Sequence, residues 1–136
     1  RLSSLIDELV KMAEEDFEAV LDEANKLNKG GKPIKHAIEL GSSFVDAVAR
    51  FAKKHKANLI IMGTHGASGL KKVVMGSNTA SLLEASNVPV LAIPSGSVFK
   101  KFRSVVYATD LLNTAKEFKA LLSIVSKEKP LIHIIH

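Results

Sequence analysis

The hydrophobic pattern of the chain begins with a long helical period. Apolar residues recur every three or four positions between residues 2 and 27, and the opposite face carries acidic residues and lysines, which predicts one amphipathic helix. Glycines and a proline at residues 30–33 end this pattern. Residues 34–40 then alternate apolar and polar side chains, which predicts a strand near a sheet edge.

Helices and strands alternate along the rest of the chain. Ser43 and Asp46 have the spacing of an N-cap and a first-turn carboxylate, so a helix is expected to follow them. Ser77 is expected to cap a later helix whose inner face includes Leu82 and Leu83. The remaining predicted elements are strands at 59–62, 90–93, 104–108 and 131–136 and helices at 77–86 and 114–126. This order favours an α/β fold with a doubly wound, open parallel sheet.

The composition narrows the class of protein. A length of 136 residues with 46% hydrophobic and 24% charged residues is typical of one compact globular domain. No apolar run reaches the length of a membrane span, so we expect no membrane partner. The absence of cysteine excludes disulfides and cysteine-based metal sites, and it fits a reducing compartment, so a cytoplasmic location is expected. The chain begins with Arg1 rather than Met, so we expect it to be a piece of a longer product.

Charge is distributed unevenly along the chain. Residues 1–29 carry eight acidic and four basic side chains, whereas residues 30–136 carry six acidic and fifteen basic ones. A basic body attracts phosphates on nucleotides, nucleic acids or lipids alike. One tyrosine and no tryptophan are available for stacking on bases, so nucleic acid is the least favoured of these partners.

A spaced set of glycines follows the buried run at 59–62. Gly63, Gly66, Gly76 and Ser77 form the pattern G-x2-G-x9-G-S between a predicted strand and a predicted helix. In open α/β sheets ligands bind beyond the carboxyl ends of the strands, where a helix N-terminus offers unpaired N–H groups. Glycines there let the backbone approach a ribose or a phosphate. Each glycine taken alone is more typical of an ordinary turn, whereas the three at this spacing favour a binding loop.

Other catalytic patterns are missing from the sequence. Neither the Walker pattern, the Rossmann glycine fingerprint nor the G-x-S-x-G nucleophile turn occurs. His133 and His136 lie three apart on a predicted strand and point to opposite faces, so no metal site is expected. No set of acid–base or nucleophilic residues predicts catalysis, and no catalytic residue is assigned.

The glycine pattern, with Met62 before it and the two flanking apolar runs, resembles the ATP-binding signature of the universal stress protein family. Residues 105–110, which end in Ala108 and Asp110, are similar to the first strand of that family, although the family usually has proline at the position of Ala108. The resemblance implies the open parallel sheet of the adenine nucleotide alpha hydrolase type.

The order of the two matches differs from that of a single family domain. Residues 1–94 look like the back part of one repeat, residues 95–103 like a linker, and residues 104–136 like the front part of a second repeat. We therefore expect a fragment of a tandem-repeat protein. A nine-residue linker reaches at most about 30 Å and the return path needs about 22 Å, so a permuted sheet could close within one chain. Exchange of the two parts between chains is the competing arrangement.

The family's binding residues are carried over by position. Gly63 and Ala108 would border the ribose, and Asp110 would approach the adenine or ribose. The phosphates of ATP, with or without magnesium, would be held by Gly66, Gly76, Ser77 and Asn78. The resemblance implies a sensor or regulator of the stress response, with at most slow ATP hydrolysis. It also implies a homo-oligomer through the edge formed by Val90, Leu91, Ala92 and Ile93. The alternative is an interaction module of the same fold that binds no nucleotide.

Overall fold

The structure is a computed structural model that describes residues 2–64 and 75–136. In chain order its elements are α1 (Leu2–Leu27), α2 (Phe44–Lys54), β1 (Ile60–Gly63), α3 (Ser77–Ala85), β2 (Val90–Ile93), β3 (Ser104–Ala108), α4 (Thr114–Val125) and β4 (Leu131–Ile135). The chain divides into two compact units, residues 1–51 and 52–136. None of the described helices is long and apolar enough to cross a bilayer.

The first unit is built on α1. One row of its apolar residues, which includes Phe17, is half-buried, and the Phe17 ring lies 5.3 Å from the ring of His36. No residue of α1 is fully buried. The prediction of a strand at 34–40 is wrong, because these residues form no ladder and most of their side chains are exposed. Alternation of apolar and polar residues suits a strand, but a strand also needs a neighbour for its backbone groups.

The start of α2 confirms the predicted cap. The Asp46 N–H donates to the Ser43 hydroxyl at 3.1 Å, and that hydroxyl donates to the Asp46 carboxylate at 2.7 Å. The first of these bonds satisfies a backbone N–H group that the first turn of a helix leaves without an intrahelical acceptor.

In the second unit, β1 and β2 form a parallel ladder in which Ile60 pairs with Val90 and Gly63 with Ile93. The helix between the two strands, α3, packs its fully buried Leu82 inward. Leu83, which was also expected on the inner face, is 41% exposed, since consecutive helical residues point about 100° apart.

The strands β3 and β4 form a second parallel ladder, from Ser104 with Leu131 to Ala108 with Ile135. The connecting helix α4 contributes the buried Val125, and its Phe118 ring packs 5.6 Å from the Tyr107 ring. Each ladder is thus a β–α–β unit, as the alternation of the pattern predicts. The chain has an α/β fold with parallel strands.

No ladder between β1 and β3 joins the two sheets within the described ranges. Each sheet keeps one face that is largely exposed, with Ile61 and Leu91 on the first and Val106 on the second. Closure of one permuted sheet, exchange between chains and the domain boundaries at 94 and 103 therefore stay predictions.

Candidate functional site

The turn after β1 is held against the start of α3 by hydrogen bonds from both sides. The Gly76 N–H donates to the Thr64 carbonyl at 2.8 Å, and the Thr79 hydroxyl donates to the Gly63 carbonyl at 3.0 Å. The Thr64 N–H in turn donates to the Ile93 carbonyl at 3.1 Å, which continues the ladder past Gly63. The strand end and the helix start, which we call the glycine clasp (Gly63, Thr64, Gly76 and Thr79), therefore converge as the motif predicts.

Gly76 is the residue that this close approach requires. A Cβ atom built on Gly76 would lie 3.2 Å from the Thr64 carbonyl oxygen, which is tighter than ordinary van der Waals contact. Gly76 is also the N-cap of α3 and supplies no side chain to it. Ser77, which was expected to be the cap, is the first helical residue instead, because Gly76 already accepts the Ala80 N–H at 3.0 Å.

The amino end of α3 suits an anion. Within the part of the chain that the structure describes, the N–H groups of Ser77 and Asn78 have no acceptor. The first turn carries no acidic side chain that could compete for these donors. Unpaired N–H groups and the positive end of the helix dipole together favour a phosphate or a carboxylate at this position.

A pocket of about 760 Å³ lies at the carboxyl ends of β3 and β4. Its walls are formed by Ala108, Thr109, Asp110, Glu117, Ile135 and His136. We call it the strand-end pocket. The Thr109 N–H donates to the Ile135 carbonyl at 3.1 Å, and the His136 Nδ1 lies 3.0 Å from the Thr109 carbonyl. A ring nitrogen at that distance from a carbonyl carries the proton, so we assign the Nδ1–H tautomer to His136 when it is neutral.

Asp110 shapes the rim of this pocket. Its Oδ1 accepts the Leu112 N–H at 2.9 Å, and the Thr109 hydroxyl accepts the Leu111 N–H at 3.0 Å. Leu111 has φ 66°, the left-handed region that non-glycine residues enter only when the surroundings hold them there. The two side-chain bonds hold this turn and leave Asp110 Oδ2 without a partner among the described residues.

Tyr107 and Glu117 form a second polar contact beside the pocket. The Tyr107 hydroxyl donates to Glu117 Oε2 at 2.7 Å. A hydrogen bond with Thr109 lowers the pKa of Tyr107, but desolvation together with the hydrogen bond and negative charge of Glu117 outweighs it. The pKa of Tyr107 is therefore raised above its ordinary value. The strand-end pocket presents the carboxylates of Asp110 and Glu117, which suit ligand hydroxyl and amino groups better than phosphates.

The predicted site residues fall into two groups. Met62 ends the half-buried part of β1 next to Gly63, and Ser77 and Asn78 follow Gly76 of the glycine clasp in the first turn of α3. Ala108 and Asp110 line the strand-end pocket, whose walls include no residue of the clasp. Gly66 lies outside the described residues.

The sites also contain residues that were not predicted as binding residues, among them Thr79, Glu117 and His136. Thr79 is three positions after Gly76 but bonds to Gly63, which lies 16 residues away. Glu117 meets Tyr107 across 10 residues and His136 meets Thr109 across 27. A Thr at the third position of a helix that follows a glycine turn is the only one of these signals visible in the sequence. Among the described residues no group of three metal-ligating side chains occurs.

Comparison with known proteins identifies the family. The model of the universal stress protein family matches residues 2–94, which is more than half of the chain. The chain belongs to the universal stress protein family. Its glycine clasp lies within the matched region, and its strand-end pocket lies outside it.

Individual relatives agree with this membership. Universal stress protein MJ0531 of Methanocaldococcus jannaschii is 35% identical over 89 residues, which is 65% of this chain and 51% of that protein. Universal stress protein MJ0577 of the same organism is 30% identical over 83 residues, 61% of this chain and 51% of that protein. Universal stress protein Slr1230 of Synechocystis is 32% identical over 65 residues, 48% of this chain and 22% of that protein.

The chain thus spans about half the length of the two Methanocaldococcus relatives that it matches. No solved structure gives a significant match to it.

Proposed function

We propose that this universal stress protein binds ATP or a related adenine nucleotide and acts as a sensor or regulator in the stress response. The observation that carries the proposal is the glycine clasp, in which the Gly76 N–H bonds to the Thr64 carbonyl and the N–H groups of Ser77 and Asn78 have no acceptor among the described residues. A backbone built in this way accepts a phosphate group without a Cβ atom in its path.

The two groups of site residues divide the nucleotide between them. Gly76, Ser77 and Asn78, with Gly66, hold the phosphates, and Gly63 borders the ribose beside Met62. The strand-end pocket offers Asp110 to the hydroxyl or amino groups of the nucleoside, with Ala108 against the ribose. Family membership supports the phosphate part of this division, because the glycine pattern lies within the matched residues 2–94. The roles of Ala108 and Asp110 depend on the resemblance of residues 105–110 to the first strand of the family.

Titration calorimetry with ATP, with and without magnesium, tests the proposal. We expect Gly76→Val to weaken ATP binding at least tenfold, since its side chain would collide with the Thr64 carbonyl. Ala85→Val is the matched control, because Ala85 is exposed at the other end of the same helix, and it should leave the affinity unchanged. Absence of heat and of a thermal shift at millimolar ATP in the unaltered chain would contradict the proposal.

A second function, an interaction module without nucleotide, is favoured by one observation. Leu91 and Ile93 of β2 are 37% and 40% exposed, and the edge of β2 away from β1 carries no ladder within the described ranges. An unpaired edge with apolar residues invites a second strand. The residues Val90, Leu91, Ala92 and Ile93 would then form the seam of a homo-oligomer.

Two variants separate these functions. If the chain is only an assembly module, Gly76→Val keeps the oligomeric state and there is no nucleotide affinity to lose. Leu91→Lys places a charge on the exposed face of β2 and should then abolish assembly, as measured by light scattering. If nucleotide binding is the function, Leu91→Lys leaves the ATP affinity within twofold.

A further inference from the structure

A groove that belongs to neither group of site residues runs along α4. It has a volume of about 680 Å³ and lies between α4 and the segments that precede β1 and β2, represented by Leu59 and Pro89. The helix side of the groove is formed by Lys116, Lys119, Ala120, Ser123, Ile124 and Lys127. The five positions from Lys116 to Ile124 recur at three- and four-residue spacing and therefore share one face of α4, and Lys127 lies in the turn just after the helix. We call this surface the basic groove.

The basic groove combines small central residues with lysines at both ends. Ala120 and Ser123 leave room for a second helix to approach α4 closely, and Ile124 adds an apolar contact that is 36% exposed. Lys116, Lys119 and Lys127 form no ion pair with any described residue. The groove therefore offers unpaired positive charge around an apolar centre.

Helix α1 has the opposite character. Six of its apolar residues are between 52% and 79% exposed, namely Leu2, Leu5, Leu9, Met12, Val20 and Leu27. Four of them follow the spacing 2, 5, 9, 12, and Asp16 and Glu23 continue the same row. We call the row Leu2, Leu5, Leu9, Met12, Asp16 and Glu23 the outer stripe. None of the eight carboxylates of α1 forms an ion pair with a described residue.

We propose that the basic groove binds the outer stripe of α1 from a second copy of the chain. The charge and the apolar character of the two surfaces complement each other. Asp16 and Glu23 are seven residues apart, about 10 Å along a helix, and the groove carries lysines at two separated points, Lys119 within α4 and Lys127 just after its end. Two carboxylates of α1 can therefore meet two lysines of the groove, while apolar residues of the stripe contact its apolar lining, which includes Leu59, Pro89 and Ile124.

The contact is reciprocal when two copies meet about a twofold axis. Each copy then supplies one stripe and one groove, so a dimer contains two identical contacts and leaves none open. Burial of exposed leucines supplies affinity, and the charges select the orientation of the partner helix. This dimer uses a surface different from the β2 edge.

Sedimentation equilibrium of the full chain tests the proposal. We expect a dimer whose dissociation constant rises with salt, because exposed charges are screened beyond a Debye length of about 8 Å at physiological ionic strength. The double variant Asp16→Lys, Glu23→Lys and the double variant Lys119→Glu, Lys127→Glu should each weaken the dimer about tenfold. An equimolar mixture of the two variants should restore it, because each then complements the other at one contact.

Matched controls distinguish an effect on docking from effects of misfolding or of a changed net charge. Asp7→Lys, Glu14→Lys has the same spacing on the opposite face of α1 and changes the net charge equally, so it should leave the dissociation constant within twofold. The double variant Lys100→Glu, Lys101→Glu is the matching control for lysines outside the groove, and it should also leave the dissociation constant within twofold. Circular dichroism confirms that each variant is folded. A monomer at every concentration, or a dimer that the groove and stripe variants do not affect, overturns the proposal.

Discussion

The two β–α–β units share one architecture but end in opposite chemistry. In both, the residue that follows the first strand donates its N–H to the last residue of the second strand at 3.1 Å, from Thr64 to Ile93 and from Thr109 to Ile135. The β1–α3–β2 unit then presents a glycine N-cap and a helix without acidic residues in its first turn. The second presents Asp110 and a helix with Glu117 in its first turn.

The difference shows how one scaffold separates donors from acceptors. The carboxyl ends of parallel strands form a shared edge where ligands bind, but the residues that follow the strands decide which ligand groups fit. Backbone N–H groups at α3 suit an anion, whereas the carboxylates near α4 repel one. A nucleotide carries both kinds of group, which is why the two ends are complementary parts of one proposed site.

The largest expected effect comes from removing the packing that supports the β1–α3–β2 unit. Leu82 is fully buried in α3, the helix that contacts β2, so Leu82→Ala should lower the free energy of unfolding by about 2–5 kcal/mol. Urea denaturation followed by circular dichroism measures it. Leu83→Ala is the control on the next residue, which is 41% exposed, and should cost under about 1 kcal/mol. Equal losses in the two variants would show that Leu82 is not a core residue.

A smaller effect is expected from the hydrogen bond within the glycine clasp. Thr79→Val keeps the shape of the side chain but removes the donor to the Gly63 carbonyl, and we expect a loss of about 1 kcal/mol in unfolding free energy. The β3–α4–β4 unit offers a comparison in Thr114, whose hydroxyl lies 3.5 Å from that of Thr109. Because that contact is longer, Thr114→Val should cost less than Thr79→Val, and a reversed order would contradict the assignment.

The smallest effect concerns the titration of Tyr107. The chain contains one tyrosine, so the ultraviolet absorbance of phenolate reports this residue alone. We expect its midpoint above the ordinary value of about 10, and Glu117→Gln should lower it by removing the negative charge. Lys116→Gln, next to Glu117 in the sequence, is the control and should leave the midpoint of Tyr107 unchanged.

The sign of the linked effect on stability follows from the raised pKa. The folded state holds the phenol proton more tightly than the unfolded state does. The contribution of Tyr107 to stability is therefore fully present below the unfolded pKa and is lost as the pH rises through the higher folded pKa. A Tyr107 midpoint below 10 in the unaltered chain would show that the Thr109 hydrogen bond dominates.

Local patterns along the sequence predicted most of the elements. The apolar run at 59–62 became the strand Ile60–Gly63, and the Ser43–Asp46 spacing became a hydrogen-bonded cap. The segment 34–40 was predicted wrongly, because alternation describes the side chains of a strand but not the neighbour that it pairs with. A strand prediction is reliable only as far as its partner is known.

The sites were predictable to the extent that they are contiguous. Gly76 and Ser77 are adjacent in the sequence at the start of a predicted helix, and this position alone indicates an anion site. The bonds from Thr79 to Gly63 and from Tyr107 to Glu117 join residues that only the β–α–β crossovers bring together. No local period predicts such pairs, so Asp110 was visible at the second strand end from the sequence, whereas Glu117 beside it became visible only in the structure.

The registers of the two ladders also bear on how the chain acquires its fold. Only 30 residues separate Ile60 from Val90, and 27 separate Ser104 from Leu131, so each ladder closes over a short loop of sequence. Short loop closures cost little chain entropy and are associated with fast folding. During synthesis, the glycine-bearing unit can be complete before the ribosome has released the strands that follow it.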